Sequence, residues 1–247
     1  MSVTPRSAAP SLTPDHDLFG ACGHPSLTAD DPARVARIAA EITSGFQALA
    51  GVTKAVSIFG SARATRDSAE YRLATDVAGA LGRAGFAVIT GGGPGVMEAA
   101  NRGAREAGAQ SIGLNIELAH EQEPNHYLDM SLTFQHFFAR KIMFVRYASA
   151  FVVLPGGFGT IDELFEALTL MQTGKINDFP VVLVGVEHWA GLIDWLQARL
   201  LDLGRVDQSD LALLHVTDDP AQVAEIATRC HAAQCAHLQT PDGGGVL

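Results

Sequence analysis

Short apolar runs recur along most of the chain and are separated by longer stretches with a helical spacing of apolar residues. The runs are AVSIFG, FAVIT, SIGLN, AFVVLP, PVVLVG and LLHVTD, and the amphipathic stretches between them include Ser68–Arg83, Gly95–Gly108 and Thr160–Gln172. Runs that are apolar at nearly every position predict strands buried on both faces, and their alternation with helices predicts a parallel sheet with right-handed crossovers. We therefore predict an α/β fold, in which a Rossmann-like, doubly wound parallel sheet flanked by helices forms a single domain over residues 53–231.

The segments outside this domain have a different composition. Residues 1–30 are rich in Pro, Ser, Ala and Asp, which predicts a flexible arm. Residues 31–52 predict a helix with Asp31 as its N-cap and Pro32 in its first turn. Residues 232–247 end in QTPDGGGVL, which predicts a frayed tail. The sequence thus predicts one domain with an N-terminal helical arm.

Composition and charge restrict the class of protein. The 247 residues are 47% hydrophobic, which is enough for a sizeable core. A net charge of −10 gives the protein as a whole no electrostatic reason to bind nucleic acid or an anionic membrane. Cys22, Cys230 and Cys235 are too few and too scattered for a disulfide framework. Because no apolar segment resembles a signal peptide or a membrane span, we predict a cytoplasmic protein with neither nucleic-acid nor membrane partners.

The loops that follow the apolar runs are the candidate binding loops, because ligands of doubly wound sheets bind beyond the carboxyl ends of the strands. The first loop contains Gly60 and Ser61, a pair that is also common in ordinary strand–helix turns. The second loop, in VITGGGPGVMEAA, contains Gly91, Gly92, Gly93 and Gly95. Glycines before a helix let backbone N–H groups approach a phosphate. The loop matches neither the dinucleotide fingerprint nor the P-loop pattern, so it predicts a phosphate site of another kind.

A third loop, in FVVLPGGFGTIDE, combines glycines with a candidate catalytic carboxylate. Gly156, Gly157 and Gly159 offer a second group of N–H donors. Thr160 and Glu163 have the spacing of a capping box, in which the N-cap alone stabilises a helix by about 0.5–2 kcal/mol. The same carboxylate would be equally suited to act on a bound ligand. The residues alone leave both roles of Glu163 open.

The stretch before this loop, TFQHFFARKIMFVRYASA, predicts one strongly apolar helix that carries two cations. Arg140 and Lys141 lie in its middle, and His136 lies one turn before Arg140 on the same face. One interpretation is a helix edge with two solvated cations. The other is a cation pair that contacts a bound anion and Glu163, because the helix leads directly into the strand that ends at Pro155. A guanidinium binds phosphate or carboxylate in bidentate fashion, which favours the second interpretation.

Three stretches, TGGGPGVMEAANRGA, TFQHFFARKIMF and LPGGFGTIDELFEAL, resemble the LONELY GUY family of cytokinin riboside 5′-monophosphate phosphoribohydrolases, many of which were once called lysine decarboxylases. The resemblance covers about Lys54 to Ala227 and includes the specific motif P-G-G-x-G-T-x-x-E. It implies a Rossmann-like fold, no metal and no other cofactor. It also implies hydrolysis of the N-glycosidic bond of N6-modified adenosine monophosphates to free base and ribose 5-phosphate. The loop Gly93–Met97 and the stretch HFFARK depart from the plant-type pattern and are similar to a longer bacterial branch, which leaves the preferred base open.

The resemblance implies roles for individual residues. It identifies Arg140 and Glu163 as catalytic, with Lys141 beside them. Together with the loop residues above, the predicted substrate- and phosphate-binding set is Gly60, Ser61, Gly92, Gly93, Gly95, Lys141, Gly156, Gly157, Gly159 and Thr160. Two further candidates are His136, as a proton donor to the leaving purine, and Glu98, whose position equally suits stabilisation of a helix N-terminus. The segment EQEPNHYLD predicts a wall or lid on the base side.

Other functions also fit parts of the sequence. A non-catalytic nucleotide or molybdenum-cofactor carrier would need the glycine loops but not an Arg140–Glu163 pair. An AMP nucleosidase would ignore the N6 substituent. A pyridoxal phosphate decarboxylase would need a Schiff-base lysine, and none of the three lysines has a context that demands one.

Two expectations concern the surface of the protein. The apolar stretches Phe134–Ala148 and Leu164–Gly174 contain more hydrophobic residues than one sheet face covers, which predicts a homo-oligomer, at least a dimer. The C-terminal stretch RCHAAQCAH lacks the ligand spacing of a zinc site, so we predict no metal there.

Overall fold

The computed structural model describes residues 14–19, 31–118, 123–177 and 179–238. Strands of the described residues are β1 Ala55–Phe59, β2 Ala87–Thr90, β3 Ser111–Ile116, β4 Met130–Phe134, β5 Phe151–Val153, β6 Val181–Leu183 and β7 Leu214–Val216. Helices are α1 Pro14–Phe19, α2 Asp31–Leu49, α3 Ala69–Arg83, α4 Val96–Glu106, α5 Phe137–Tyr147, α6 Phe158–Gln172, α7 Val186–Leu196, α8 Gln208–Leu211 and α9 Pro220–Leu238. α7 continues into a π-helical turn, Gln197–Leu201.

The seven described strands form one parallel sheet with the order β4-β3-β2-β1-β5-β6-β7. The chain builds outward from β1 to β4 and then returns to the other side of β1 with β5. This reversal between β1 and β5 is the position at which doubly wound sheets bind ligands. The predicted α/β, Rossmann-like fold is confirmed.

The core consists of two apolar layers, one on each face of the sheet. Val56 and Ile58 of β1 pack on one face with residues of α3, α4 and α9. Ala55 and Phe59 of the same strand pack on the other face with residues of α2, α5, α6 and α7. The strand is therefore apolar on both sides, as expected for a parallel sheet covered by helices.

Six of the seven described strands coincide with the apolar runs, and β4 is the strand that the pattern did not predict. Its residues Met130–Phe134 alternate between partly buried and exposed positions before the buried Phe134, because β4 is an edge strand paired only with β3. The prediction of one helix across TFQHFFARKIMFVRYASA is therefore wrong at its start. The first residues of that stretch complete β4, His136 is the N-cap residue, and α5 begins at Phe137.

Most of the predicted arm and tail lies outside the described residues. Within residues 1–30, Pro14–Phe19 forms a helix. At the other end, α9 continues past His231 to Leu238. In the described ranges, no helix has the length and apolarity needed to cross a membrane.

Candidate active site

A pocket of about 870 Å³ lies at the carboxyl ends of the strands, across the reversal between β1 and β5. Its walls come from the loops after β1, β2, β3, β5 and β6 and from one face of α5. Of the predicted site residues, the pocket lining includes Gly60, Ser61, Arg140, Gly156, Gly157, Gly159, Thr160 and Glu163. Gly92, Gly93, Gly95, Glu98, His136 and Lys141 are not among its lining residues.

Glu163 and Arg140 line the pocket as buried groups of opposite charge. The Glu163 side chain is 5% exposed, and its Oε2 atom has no hydrogen-bond partner among the described residues. Burial raises the pKa of Glu163 to about 7, although the nearby charges of Lys141 and Arg140 oppose the rise. Burial also lowers the pKa of Arg140, and the Nε atom of Arg140 likewise has no partner in the described part of the chain. Each side chain thus has a buried polar atom that forms no hydrogen bond with the described residues.

The structure excludes the capping-box role of Glu163. α6 begins three residues earlier than a Thr160 N-cap requires: its N-cap is Gly157, and no side chain caps it. Thr160 is therefore the third helical residue, and Glu163 lies in the second turn, where no orphan N–H group is within reach of a capping side chain. Helix capping therefore does not explain the carboxylate at position 163.

Lys141 belongs to a carboxylate cluster on α6 rather than to the pocket wall. Its Nζ atom lies 2.9 Å from Asp162 Oδ2, 2.9 Å from Glu166 Oε2 and 3.9 Å from Glu163 Oε2. Burial lowers the pKa of Lys141, but hydrogen bonds to Glu166 and Asp162 and the charge of Glu163 raise it above its ordinary value. Lys141 therefore favours the ionised form of Glu163 without lining the pocket itself.

The loop from β5 to α6 presents backbone to the pocket. A Cβ atom added at Gly157 or Gly159 would meet no atom within 4 Å. The Thr160 N–H donates to the Gly157 carbonyl at 3.0 Å, and since no side chain caps the helix, the N–H groups of Phe158 and Gly159 are left to bind a ligand. Space and donors at a helix N-terminus together suit an anion.

The glycine loop after β2 is packed against its neighbours. Gly92 and Gly95 have φ values of 71° and 68°, and a Cβ atom at Gly95 would overlap the Ser61 carbonyl oxygen. That carbonyl accepts the N–H of Val96 at 2.9 Å, so the first helical N–H of α4 already has a partner. The Ser61 N–H in turn donates to the Pro155 carbonyl at 2.9 Å. These bonds hold the loops after β1, β2 and β5 together around the pocket.

Asn125 fixes the same glycine loop from the segment predicted as a wall or lid. Its side-chain Nδ2 donates to the Gly92 carbonyl at 3.1 Å, the Gly93 carbonyl at 3.0 Å and Asn101 Oδ1 at 2.9 Å. Part of that segment, residues 121 and 122, lies outside the described residues. The described part holds the glycine loop in place through Asn125.

His136 does not line the pocket and instead contacts Glu41 of α2. Its Nδ1 atom is 2.6 Å from Glu41 Oε2, and the backbone N–H groups of Gln135 and His136 both donate to Glu41 Oε1. Glu41 of α2 thus satisfies the backbone where β4 leads into α5.

Glu98 forms a structural contact between α4 and the loop before α3. It accepts hydrogen bonds from Arg66 Nε at 2.8 Å and from the Tyr71 hydroxyl at 3.0 Å. The Glu98 carboxylate is therefore hydrogen-bonded to these two side chains and does not line the pocket.

Three ionisable pocket residues escaped the sequence prediction: Arg63 and Glu70 on the β1 side and His188 beyond β6. Arg63 follows the predicted Gly60–Ser61 pair by two residues, and His188 follows the fifth apolar run, PVVLVG, by three. The signal that finds them is a charged or imidazole side chain shortly after an apolar run. Among the described residues, no three His, Cys, Asp or Glu side chains are grouped to hold a metal ion.

The chain is similar to a family of proteins and to individual proteins of known sequence. The family model described as possible lysine decarboxylase matches residues 97–227. The cytokinin riboside 5′-monophosphate phosphoribohydrolase of Mycobacterium tuberculosis is 35% identical over 150 residues, which cover 60% of this chain and 79% of that protein. A protein of Oryza sativa named probable cytokinin riboside 5′-monophosphate phosphoribohydrolase is 26% identical over 208 residues, covering 83% and 90% of the two chains.

The solved structures include a second kind of protein. The Moco carrier protein of Chlamydomonas reinhardtii is 25% identical, with a TM-score of 0.52, covering 74% of this chain and 99% of that one. The family model spans Arg140, Glu163 and His188, so the comparisons and the pocket concern the same part of the chain.

Proposed function

Because the chain belongs to the LONELY GUY family, we propose that it hydrolyses the N-glycosidic bond of a purine nucleoside 5′-monophosphate, with N6-modified AMP as the substrate. The products are the free base and ribose 5-phosphate. The observation that carries the proposal is the buried Glu163, which lines a pocket together with Arg140 and has a carboxylate oxygen without a hydrogen-bond partner among the described residues.

A carboxylate in this environment suits cleavage of a ribosyl bond. The transition state carries positive charge on the sugar, as in glycoside hydrolysis, and a buried carboxylate at C1′ stabilises that charge. Water adds its oxygen to C1′ and gives a proton to Glu163, while the electron pair of the C1′–N9 bond leaves with the purine, which takes a proton from solvent. Arg140 holds Glu163 ionised or binds the ligand's oxygen atoms.

The two ends of the pocket differ in the way that this substrate requires. At the β3 and α5 end, the lining is apolar: Met97, Ile116, Leu118 and Phe137. At the β5 and β6 end, it consists of the uncapped start of α6, with Gly157 and Gly159. A purine with an apolar N6 substituent fits the first end and a 5′-phosphate fits the second, which leaves the ribose beside Glu163.

The description of the family as possible lysine decarboxylases finds no support in the pocket. Pyridoxal phosphate chemistry requires a lysine that forms a Schiff base. Lys54 donates to the Ala84 carbonyl at 2.7 Å, Lys141 binds the carboxylates of α6, and Lys175 is exposed. None of these three lysines lines the pocket.

A non-catalytic carrier is the second candidate, favoured by the similarity to the Moco carrier protein. A carrier needs the anion-binding loops but no carboxylate at the reacting bond. The buried Glu163 therefore favours hydrolysis, since a buried carboxylate with an oxygen that lacks a hydrogen bond destabilises a site that only binds an anion.

Substrate and product analysis tests the proposal. The protein is incubated with AMP, N6-isopentenyl-AMP and N6-isopentenyladenosine, and free base is measured by chromatography. We expect base from both monophosphates, faster from the modified one, and at least about 100-fold less from the nucleoside, because phosphate binding orients the ribose. Equal rates for the two monophosphates would identify an AMP nucleosidase. Tight nucleotide binding without any base release would identify a carrier.

A further inference from the structure

One imidazole lies at the phosphate end of the pocket and has no role in the proposed hydrolysis. His188 lines the pocket, is exposed to it, and lies in the first turn of α7. We propose that His188, in its protonated form, binds the 5′-phosphate and makes recognition of the monophosphate dependent on pH. This inference rests on the proposed function, since it concerns the same site.

The position of His188 places it beside the loop that starts α6. A Cβ atom added at Gly185 would lie 2.9 Å from Pro155 Cγ and 3.8 Å from His188 Cβ, so Gly185 connects the His188 turn to the start of the PGGFGT loop. Pro155, Gly156, Gly157 and Gly159 line the same pocket. The imidazole and the open N-terminus of α6 therefore border one volume.

The turn that carries His188 is held rigidly. Gly185 has a φ of 106° at the N-cap of α7. Asp218 Oδ1 accepts the N–H groups of Gly185 at 2.5 Å and Val186 at 3.0 Å, which satisfies the start of α7 without a ligand. Trp189 Nε1 donates to the Val184 carbonyl at 3.1 Å, and the Trp189 ring packs edge-on against His188 at 4.8 Å. A side chain on such a turn contributes to affinity with little loss of conformational freedom.

Two residues, Arg63 and His188, can present positive charge to the phosphate in this pocket. Arg63 lines the pocket from the β1 side and keeps its charge at all relevant pH values. Histidine changes its charge near neutral pH, so a phosphate ligand senses pH through it. The other ionisable groups that line the pocket are Glu70, Arg140 and Glu163. Glu187 precedes His188 in α7, and Asp218, in the loop after β7, binds the turn before it.

Binding of ribose 5-phosphate tests this role without relying on turnover. Its dissociation constant is measured by titration calorimetry at pH 6 and pH 8.5 for the wild type, His188→Gln and Arg63→Gln. We expect His188→Gln to weaken binding about tenfold at pH 6 and less than twofold at pH 8.5, because a charged imidazole binds phosphate more strongly than a neutral one. Arg63→Gln should weaken binding by the same factor at both pH values. His126→Gln, an exposed histidine that does not line the pocket, should bind as the wild type does.

Kinetics provide the second measurement. His188→Gln should raise the KM for AMP about tenfold at pH 6 and leave kcat within about twofold, because the contact is made equally in the ground state and the transition state. Unchanged ribose 5-phosphate binding by a folded His188→Gln variant, or an equal loss at both pH values, would overturn the inference while the proposed hydrolysis stands. Intact, pH-dependent binding through His188 with no base release by the wild type would instead overturn the hydrolysis and leave the phosphate contact in place.

Discussion

At the scale of single residues, the environment of Glu163 favours a chemical role over a structural one. The carboxylate is buried, does not cap its helix, and has an oxygen without a partner among the described residues. Such a group destabilises the folded protein when ionised. Its presence in a pocket wall therefore indicates that a ligand or a reaction uses it.

The stability of Glu163→Gln should depend on pH in a defined direction. Folding raises the pKa of Glu163 from about 4.5 to about 7, so the folded state binds the proton more tightly than the unfolded state. The stabilising effect is complete below pH 4.5 and is lost as the pH rises through 7. Relative to the wild type, Glu163→Gln should therefore gain stability between pH 4.5 and pH 8, by about 3 kcal/mol at most. Urea unfolding at pH 4.5, 6 and 8 measures this gain. A difference that stays constant across the three pH values would show that the carboxylate is not destabilised by burial.

Replacement of Lys141 should move the pH dependence of the reaction. Lys141 lowers the pKa of Glu163, so Lys141→Met should raise that pKa further. The acidic limb of the kcat/KM profile should shift to higher pH by about one unit, so that activity lost at pH 7 returns near pH 9. Lys175→Met, an exposed lysine outside the pocket lining, should leave the profile unchanged. A loss of equal size at every pH would instead place Lys141 in contact with the substrate.

The resemblance to a family selected Arg140 and Glu163, through the stretches HFFARK and P-G-G-x-G-T-x-x-E, and the structure brings both residues to one pocket. The roles of Lys141 and His136 depend on partners far away in sequence, the carboxylates of α6 and Glu41 of α2. His188 could not be placed in the pocket before the order of β5 and β6 was known.

At the scale of elements, the two glycine loops have different functions. The loop before α4 is closed by packing, since Gly95 contacts the Ser61 backbone, while the start of α6 is open. A glycine-to-alanine substitution should therefore destabilise the fold in the loop before α4 but preserve the fold at the start of α6.

Gly159→Ala should keep the fold and weaken substrate binding. Its methyl group meets no protein atom within 4 Å, and Ala in a helix stabilises by about 0.5–1 kcal/mol relative to Gly. The methyl group occupies pocket volume, so we expect the KM for AMP to rise about tenfold. Gly191→Ala in α7, also without atoms within 4 Å and outside the pocket lining, is the matched control and should change stability alone. An unchanged KM for Gly159→Ala would show that phosphate binds elsewhere.

Gly95→Ala should instead lower the stability of the folded protein. The residue has a φ of 68°, and its Cβ atom would overlap the Ser61 carbonyl. We expect a loss of about 1–3 kcal/mol in the free energy of unfolding, measured by urea titration. Wild-type stability together with weaker nucleotide binding would contradict the packing role.

Element prediction succeeded for six strands, including the edge strand β7, and failed for β4 at the other edge of the sheet. β4 alternates between apolar and polar residues, since only one of its faces is covered, and its last residue Phe134 begins an apolar stretch that continues into α5. A period of two next to a helical period produces an ambiguous pattern over so few residues. The start of α6 was misplaced because Thr160 and Glu163 match a cap by spacing alone.

At the scale of the whole molecule, the fold follows from the succession of buried strands and helices, and the reversal of strand order creates the pocket. Neither fact requires the identity of any single pocket residue. The topology places all loops after the strands at one edge, which is why reading those loops located most of the pocket.

The rim of the pocket also carries exposed apolar side chains. Phe158 is 93% exposed, and the exposed Phe137 and Leu118 line the same opening. Exposed apolar side chains of this size are typical of an interface, so we predict an oligomer with a mass at least twice 26.0 kDa in light scattering at micromolar concentration. Phe158→Asp should reduce that mass, while Val35→Asp, an exposed apolar residue of α2 outside the pocket, should not. A monomer mass for the wild type would contradict the prediction.

The most direct test is one experiment on two variants and the wild type. AMP binding is measured by calorimetry and adenine release by chromatography for the wild type, Glu163→Gln and Asp162→Asn, whose neighbouring carboxylate also binds Lys141 but is largely exposed. If Glu163 breaks the bond, Glu163→Gln should bind AMP within about threefold of the wild type and release adenine at least about 1,000-fold more slowly, while Asp162→Asn stays within about fivefold. Adenine release by Glu163→Gln at the wild-type rate would contradict the proposed role of the carboxylate.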